Sequence, residues 1–278
     1  MKPGARKGET MSRERIDTLL TDRGYFDSRQ KARGAIMAGR VLVEEKVVDK
    51  PGTMVSPEAS IRITGQDQPY VSRGGLKLEK AVQVFGLDLR NLVVADLGAS
   101  TGGFTDVCLQ GGAARVYAVD VGYGQLAWSL RQDPRVVVLE RTNARYLTGE
   151  SLGETVDLVV TDVSFISLSR IFPAARQLLK PDGRMVALIK PQFEAGPDRV
   201  GKNGVVSDPA VHREVIREVI RQARQEGFSF LGLSYSPVTG PKGNVEYLLY
   251  LGSGPEDPGA PEPPVDPVVE EAGRLKRS

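Results

Sequence analysis

Apolar positions along the first sixty residues change period twice. Ile16, Leu19 and Leu20 fall at i, i+3 and i+4, the spacing of one helical face. Ser12 precedes Arg13-Glu14-Arg15-Ile16 as an N-cap, and Gly24 ends the helix. Ser28 caps a second helix from Arg29 to about Ala38, which buries Ala32, Ala35 and Ile36 and closes at Gly39. Short alternating strands follow at Val41-Leu42-Val43 and Val47-Val48, then a turn at Pro51-Gly52 and a strand at Ile61-Arg62-Ile63. Beyond residue 72, apolar strands alternate with helices, which predicts a largely parallel sheet. The strands are expected near Val93–Leu97, Arg115–Asp120, Val136–Glu140, Val156–Thr161, Arg184–Ile189, Phe228–Ser234 and Val245–Leu251.

This pattern divides the chain into a polar leader (1–11), a small α+β module (12–65), a linker (66–71) and a large α/β domain (72–252). The remainder, 253–278, is rich in proline and acid and is expected to be disordered. The longest apolar stretches are strand-sized, such as Leu92-Val93-Val94-Ala95, far short of the roughly 18 to 20 residues of a membrane helix. The N-terminus has charge but no apolar core, so it is not read as a secretory signal. Cys108 is the one cysteine, which excludes an internal disulfide and fits a cytoplasmic setting. With no Cys/His cluster, no metal is expected.

Net charge is only +2, but unevenly placed. Arg15, Arg29, Lys31, Arg33 and Arg40 lie in the small module, whereas the tail carries Glu256, Asp257, Glu262, Asp266, Glu270 and Glu271. The basic module is read as a grip on an anionic partner, with a plain solvated helix face as the alternative.

The strongest chemical signal is Val93-Val94-Ala95-Asp96-Leu97-Gly98-Ala99-Ser100-Thr101-Gly102-Gly103-Phe104. A strand ends in Asp-x-Gly and runs through glycines into a helix, at the strand end where α/β folds bind ligands. Gly98 and Gly102 are expected to let a ligand approach the backbone. Asp120, at the end of the next strand, stands where a carboxylate holds ribose hydroxyls. The loop is G-x-x-x-G-G rather than the G-x-G-x-x-G of a dinucleotide site, and Asp96 would repel a pyrophosphate. S-adenosylmethionine, with a cationic amino group and a sulfonium, is therefore preferred to NAD. A glycine turn that only packs is the bland alternative.

Asp162 and Lys190 follow the fourth and fifth strands, Lys77 lies on the helix that opens the domain, and Glu246 interrupts an apolar strand. Taken singly, each has an ordinary reading as a surface residue or half of an ion pair. Together they fit the activation of a hydroxyl, with Lys190 as the base and Lys77, Asp162 and Glu246 orienting it and the target. The slot after the fourth strand, Asp162-Val163-Ser164-Phe165, lacks the proline pair of amino-group methyltransferases, and Cys108 reads as a packed residue rather than a nucleophile.

In order and strand context, Lys77, Asp162, Lys190 and Glu246 match the K-D-K-E set of FtsJ/RrmJ-type ribose 2'-O-methyltransferases. Arg15-Ile16-Asp17-x-x-Leu20, Gly24, Ser28-Arg29-x-x-Ala32, Ile36, Gly39-x-Val41-x-Val43 and Lys50-Pro51-Gly52 resemble an S4 RNA-binding domain. Joined through Tyr70-Val71-Ser72-Arg73-Gly74-Gly75-Leu76-Lys77-Leu78, the two resemble the TlyA family, whose members are often labelled hemolysins. The resemblance implies a Rossmann-like seven-strand sheet with the last strand antiparallel, and 2'-O-methylation of cytidine in ribosomal RNA or ribosomal subunits. It also implies an S-adenosylmethionine site formed by Asp96, Gly98, Ser100, Thr101, Gly102, Gly103, Phe104, Asp120, Val121 and Asp162. Val43-Glu44-Glu45-Lys46 stands where many S4 domains have Val-Asn-Gly.

The rival readings are a membrane-active hemolysin, a non-catalytic RNA-binding assembly factor and a small-molecule methyltransferase. The lone His212 is expected on the surface in a first helical turn, and Tyr123 and Trp128 are expected either to wall an adenine site or to pack in the core.

Overall fold

The computed structural model describes residues 13–26, 28–37, 39–64, 69–257 and 259–276. Ser12, Ala38, the leader and the first half of the linker lie outside them. The chain divides into two compact units, 1–68 and 69–278.

The first unit runs β1 (Glu14–Arg15), α1 (Ile16–Asp22), α2 (Arg29–Met37), β2 (Val41–Val43), β3 (Lys46–Val48), β4 (Met54–Val55) and β5 (Ile61–Ile63). Ile16, Leu20, Ala32, Ile36 and Val41 are fully buried in its core. The expected helices and strands are present, but α1 begins later than its pattern implied. Residues 14 and 15 are extended and pair antiparallel with β4, and the Ile16 amide donates to Thr53 O at 2.9 Å. The sheet contact thus delays the first helical turn. Ser28 caps α2 by accepting from the Lys31 amide.

Between β2 and β3, Glu44 and Glu45 have φ of 50° and 60°. Two left-handed residues make the hairpin turn that normally favours Asn-Gly. Glu44 accepts from the Ser60 amide at 2.7 Å, and Glu45 pairs with Arg62 at 2.6 Å. These side-chain bonds help hold a turn that glycine would enter without strain.

The second unit opens with α3 (Gly75–Phe85) and β6 (Val93–Leu97), then α4 (Gly103–Gln110), β7 (Arg115–Val119), α5 (Trp128–Arg131), β8 (Val136–Leu139) and α6 (Gly149–Leu152). It continues through β9 (Val156–Thr161), α7 (Phe172–Leu178), β10 (Leu179–Ile189), α8 (Pro191–Glu194), α9 (Pro209–Gln225), β11 (Phe228–Tyr235), β12 (Tyr247–Ser253) and α10 (Val265–Ala272). The seven strands lie in the order β11-β12-β10-β9-β6-β7-β8. β12 is antiparallel to both its neighbours. Alternate residues of each strand enter opposite cores. Ala95 and Leu97 pack with α7 and α9, while Val94 packs with Leu78 of α3 and Cys108 of α4. Burial on both faces explains the near-continuous apolar strands.

The disordered tail is corrected in part. Residues 265–272 form α10, with Val265, Val268, Val269 and Ala272 buried in the main core. Their i, i+3, i+4, i+7 spacing is a helical stripe that prolines and acids in the surrounding sequence obscured. The acids are neutralised locally: Asp266 pairs with Arg213 and Arg217 of α9, each at 2.7 Å.

Candidate active site

Parallel pairing of β9 with β10 brings Asp162 and Lys190, the residues just beyond them, to one edge of the sheet. Antiparallel pairing of Ile189 with Tyr247 then places Glu246 opposite Lys190. Lys77 arrives from the first turn of α3. That turn packs backbone to backbone against α4, since a Cβ on Gly103 would lie 2.8 Å from Gly75 N. The small residues of the junction therefore set how deep Lys77 reaches.

The four side chains form one connected cluster. Lys77 Nζ donates to Glu246 Oε2 at 2.7 Å and Asp162 Oδ2 at 3.2 Å. Lys190 Nζ donates to Ser164 Oγ at 2.8 Å and to the Asp162 carbonyl at 3.3 Å. It also lies 2.6 Å from Asp162 Oδ1, an ion pair without hydrogen-bond alignment. Both lysines are over nine-tenths buried and Glu246 is fully so. Burial disfavours charge on Lys77, but the carboxylates of Asp162 and Glu246 outweigh it and raise its pKa above the ordinary lysine value. Lys77 is therefore held as a cation between the two acids.

The cluster opens into a cavity of 520 Å³, also lined by Gly98, Ser100, Thr101, Gly103 and Phe104. A second cavity of 470 Å³ shares Gly98, Ser100, Asp162 and Ser164 with it and extends to Asp120 and Val121. The size and mixed lining of these two lobes suit a small cofactor beside a reacting group. Asp120 accepts from the Ser100 amide at 2.8 Å and the Gly122 amide at 2.7 Å, so it holds the glycine turn as well as facing the second lobe.

Two expected cofactor residues do not line either lobe. Gly102 faces apolar packing: a Cβ there would sit 2.3 Å from Leu130 Cδ1. Its φ of 98° makes it a turn and packing glycine. Asp96 is fully buried, with Oδ2 accepting from Thr105 at 2.7 Å and Oδ1 lacking a partner. Burial pushes its carboxyl up to about 7, against the Thr105 hydrogen bond and with help from Asp162 and Asp120. An orphaned acid next to a glycine turn, and a second acid reaching the far lobe, fit a ligand with a cationic end and a ribose.

The structure adds residues that the sequence reading did not single out. Ser164 bonds Lys190, Ser72, Arg73 and Lys242 line the first lobe, and Gln125 and Asn143 line the second. Ser164 was legible from its place two residues after Asp162. The others are brought in by loops whose course no periodicity records. Tyr123 and Trp128 are largely exposed, which excludes core packing, and neither lines a lobe. His212 does lie in the first turn of α9 but is buried, bonded to Tyr247 Oη at 2.6 Å and the Val206 carbonyl at 2.9 Å. A surface position is therefore corrected: the ring fills a polar niche between α9 and β12.

Of the basic residues in the first unit, Arg15 and Arg29 both pair with Asp17, at 3.0 and 3.2 Å. The Asp17 side chain is out of solvent contact but thinly covered by these half-exposed guanidiniums. The Arg15 hydrogen bond, resisted by burial and reinforced by Arg29, holds its carboxyl at about 2. Arg40 Nε donates to the Thr64 carbonyl at 3.3 Å, whereas Lys31 and Arg33 are exposed on α2.

The reversed β12 inserted between β10 and β11, with a cleft over the glycine turn, defines a Rossmann-like methyltransferase. Residues 70–253 match the FtsJ-like methyltransferase family and residues 14–61 match the S4 domain. The chain belongs to the FtsJ-like methyltransferases of TlyA type. It is 50% identical over 267 residues to YqxC of Bacillus subtilis (strain 168), covering 95% of each chain. It is 49% identical over 240 residues to the 16S/23S rRNA (cytidine-2'-O)-methyltransferase TlyA of Mycobacterium tuberculosis, covering 86% of this chain and 90% of that one. A solved structure from Streptococcus thermophilus, provisionally described as a hemolysin, superposes with a TM-score of 0.74 at 42% identity, over 96% of this chain and 98% of that one. Among the described residues, no helix is long and apolar enough to cross a membrane.

Proposed function

We propose that this protein is an S-adenosylmethionine-dependent methyltransferase that modifies the 2'-hydroxyl of a cytidine in ribosomal RNA. The observation that carries the reading is the Lys77–Asp162–Lys190–Glu246 cluster at the mouth of the glycine-turn cleft. The relatives named for cytidine 2'-O-methylation point to the same chemistry.

S-adenosylmethionine supplies the methyl group as a sulfonium. Gly98, Ser100, Thr101, Gly103, Phe104 and Val121 wall its site, and Asp120 takes the ribose hydroxyls. Asp96, fully buried at the start of the glycine turn with one oxygen unpartnered, is the acid assigned to the cationic end. A ribose hydroxyl is a weak nucleophile, so its proton must leave as the new C–O bond forms. Lys190 Nζ takes that proton and must enter the step neutral. Lys77 holds the Asp162 and Glu246 carboxylates at fixed points and keeps the cleft's charge in place. Exposed Lys31 and Arg33 on the S4 unit supply phosphate contacts that add affinity and register rather than sequence.

The test is transfer of labelled methyl to purified ribosomal subunits, with the product mapped by resistance to alkaline cleavage. One ribose-methylated cytidine is the expected result. No transfer to either subunit or to naked rRNA, with the cofactor bound, overturns the reading.

A further inference from the structure

We propose that Gln192 is a positioning residue of the cluster, holding Glu246 toward Lys77. The inference rests on the ribose-methylation reading above. Gln192 lies in α8, the short helix that follows β10, with Lys190 at its N-cap and Pro191 in its first position. The two-residue spacing sends the side chains to different acids. Lys190 reaches Asp162, while Gln192 Nε2 donates to Glu246 Oε1 at 3.3 Å. These are the two acids that bracket the Lys77 ammonium. One turn of chain thus braces both sides of the bracket.

Glu246 is fully buried, and one of its oxygens is already committed to Lys77 at 2.7 Å. The other has only Gln192 as a side-chain donor among the described residues. Space for it depends on Gly240, where a Cβ would stand 2.1 Å from Oε1. Gln192 itself is poorly satisfied, because its Oε1 is buried without a partner. A leucine would fill similar volume without that cost. What the amide provides in place of leucine is the bond to Glu246. Without it the Glu246 carboxylate is free to turn, and Lys77 moves toward Asp162 and competes with Lys190 for that carboxylate.

The test compares the parent with Gln192→Leu and Gln192→Glu, with ribosomal subunits as substrate. For Gln192→Leu, kcat is expected to fall about tenfold, while the Kd for S-adenosylmethionine stays within about twofold of the parent's. Gln192→Glu places a second carboxyl beside Glu246, so like charges disfavour ionisation of both and the acid limb of the pH–rate profile moves to higher pH. Because Glu matches Gln in shape, that variant reads the bond even if the leucine variant folds poorly. An unchanged Gln192→Glu profile, or Gln192→Leu turnover within twofold of the parent, overturns the proposal and leaves the methylation reading intact. A parent that makes no ribose methyl removes both.

Discussion

The Nζ atoms of Lys77 and Lys190 contact opposite oxygens of one carboxylate, that of Asp162, at 3.2 and 2.6 Å. The acid is the shared partner that holds two buried lysines at such short range. Asp162→Asn keeps the shape and removes the charge. Methyl transfer should fall at least about a hundredfold, the range of a lost acid–base arrangement. Single-turnover assays with saturating cofactor measure this, and activity within tenfold of the parent would mean that the shared carboxylate is not needed.

Asp96 gives a pH signature. Its carboxyl is raised from 3.8 to about 7 by burial, so in the unfolded chain it ionises first. Its contribution to stability is best below pH 3.8 and declines as the pH rises to about 7, where a penalty of up to about 4 kcal/mol is complete. Asp96→Asn removes that penalty. Without cofactor at pH 8, the variant should melt several degrees higher, since each kcal/mol moves the midpoint about 2–4 °C in a domain this size. The same variant should bind S-adenosylmethionine more weakly. Thermal melts with and without cofactor separate the two effects, and a lower apo midpoint would refute the assignment.

The S4 unit separates a structural arginine from surface cations. Arg29 neutralises buried Asp17, so Arg29→Glu is expected to unfold the unit rather than report on RNA. The informative change is Arg33→Glu on the exposed face of α2. Affinity for ribosomal subunits should drop and the salt dependence should flatten by about one log unit per lost phosphate contact, with cofactor affinity unchanged. Equal loss of both affinities would end the division of labour between the units.

Much of this was legible in the sequence because the large domain obeys its periodicities. Strands ending in Asp96, Asp120, Asp162 and Lys190 announce a row of chemistry at one edge of a parallel sheet. Other features were hidden for physical reasons. Buried Asp17 draws the half-exposed Arg15 and Arg29 into ion pairs, and no local pattern distinguishes such arginines from phosphate grips. The stripe on α10 is only eight residues long and sits among prolines. Gln192 acquires its partner through the register of β12 on β10, a contact 54 residues away in the chain. His212 looked like a surface residue because its buried partner, Tyr247, arrives from the same distant strand.

The central claim is that Lys190 takes the proton of a ribose hydroxyl in this cleft. Its most direct test is Lys190→Met, with cofactor binding followed by calorimetry and ribose methylation of ribosomal subunits followed by alkaline-resistance mapping. Cofactor binding within a few-fold of the parent, with the methylated cytidine lost, is the predicted result. Methylation persisting at the parental rate, at the same nucleotide, would contradict the assignment.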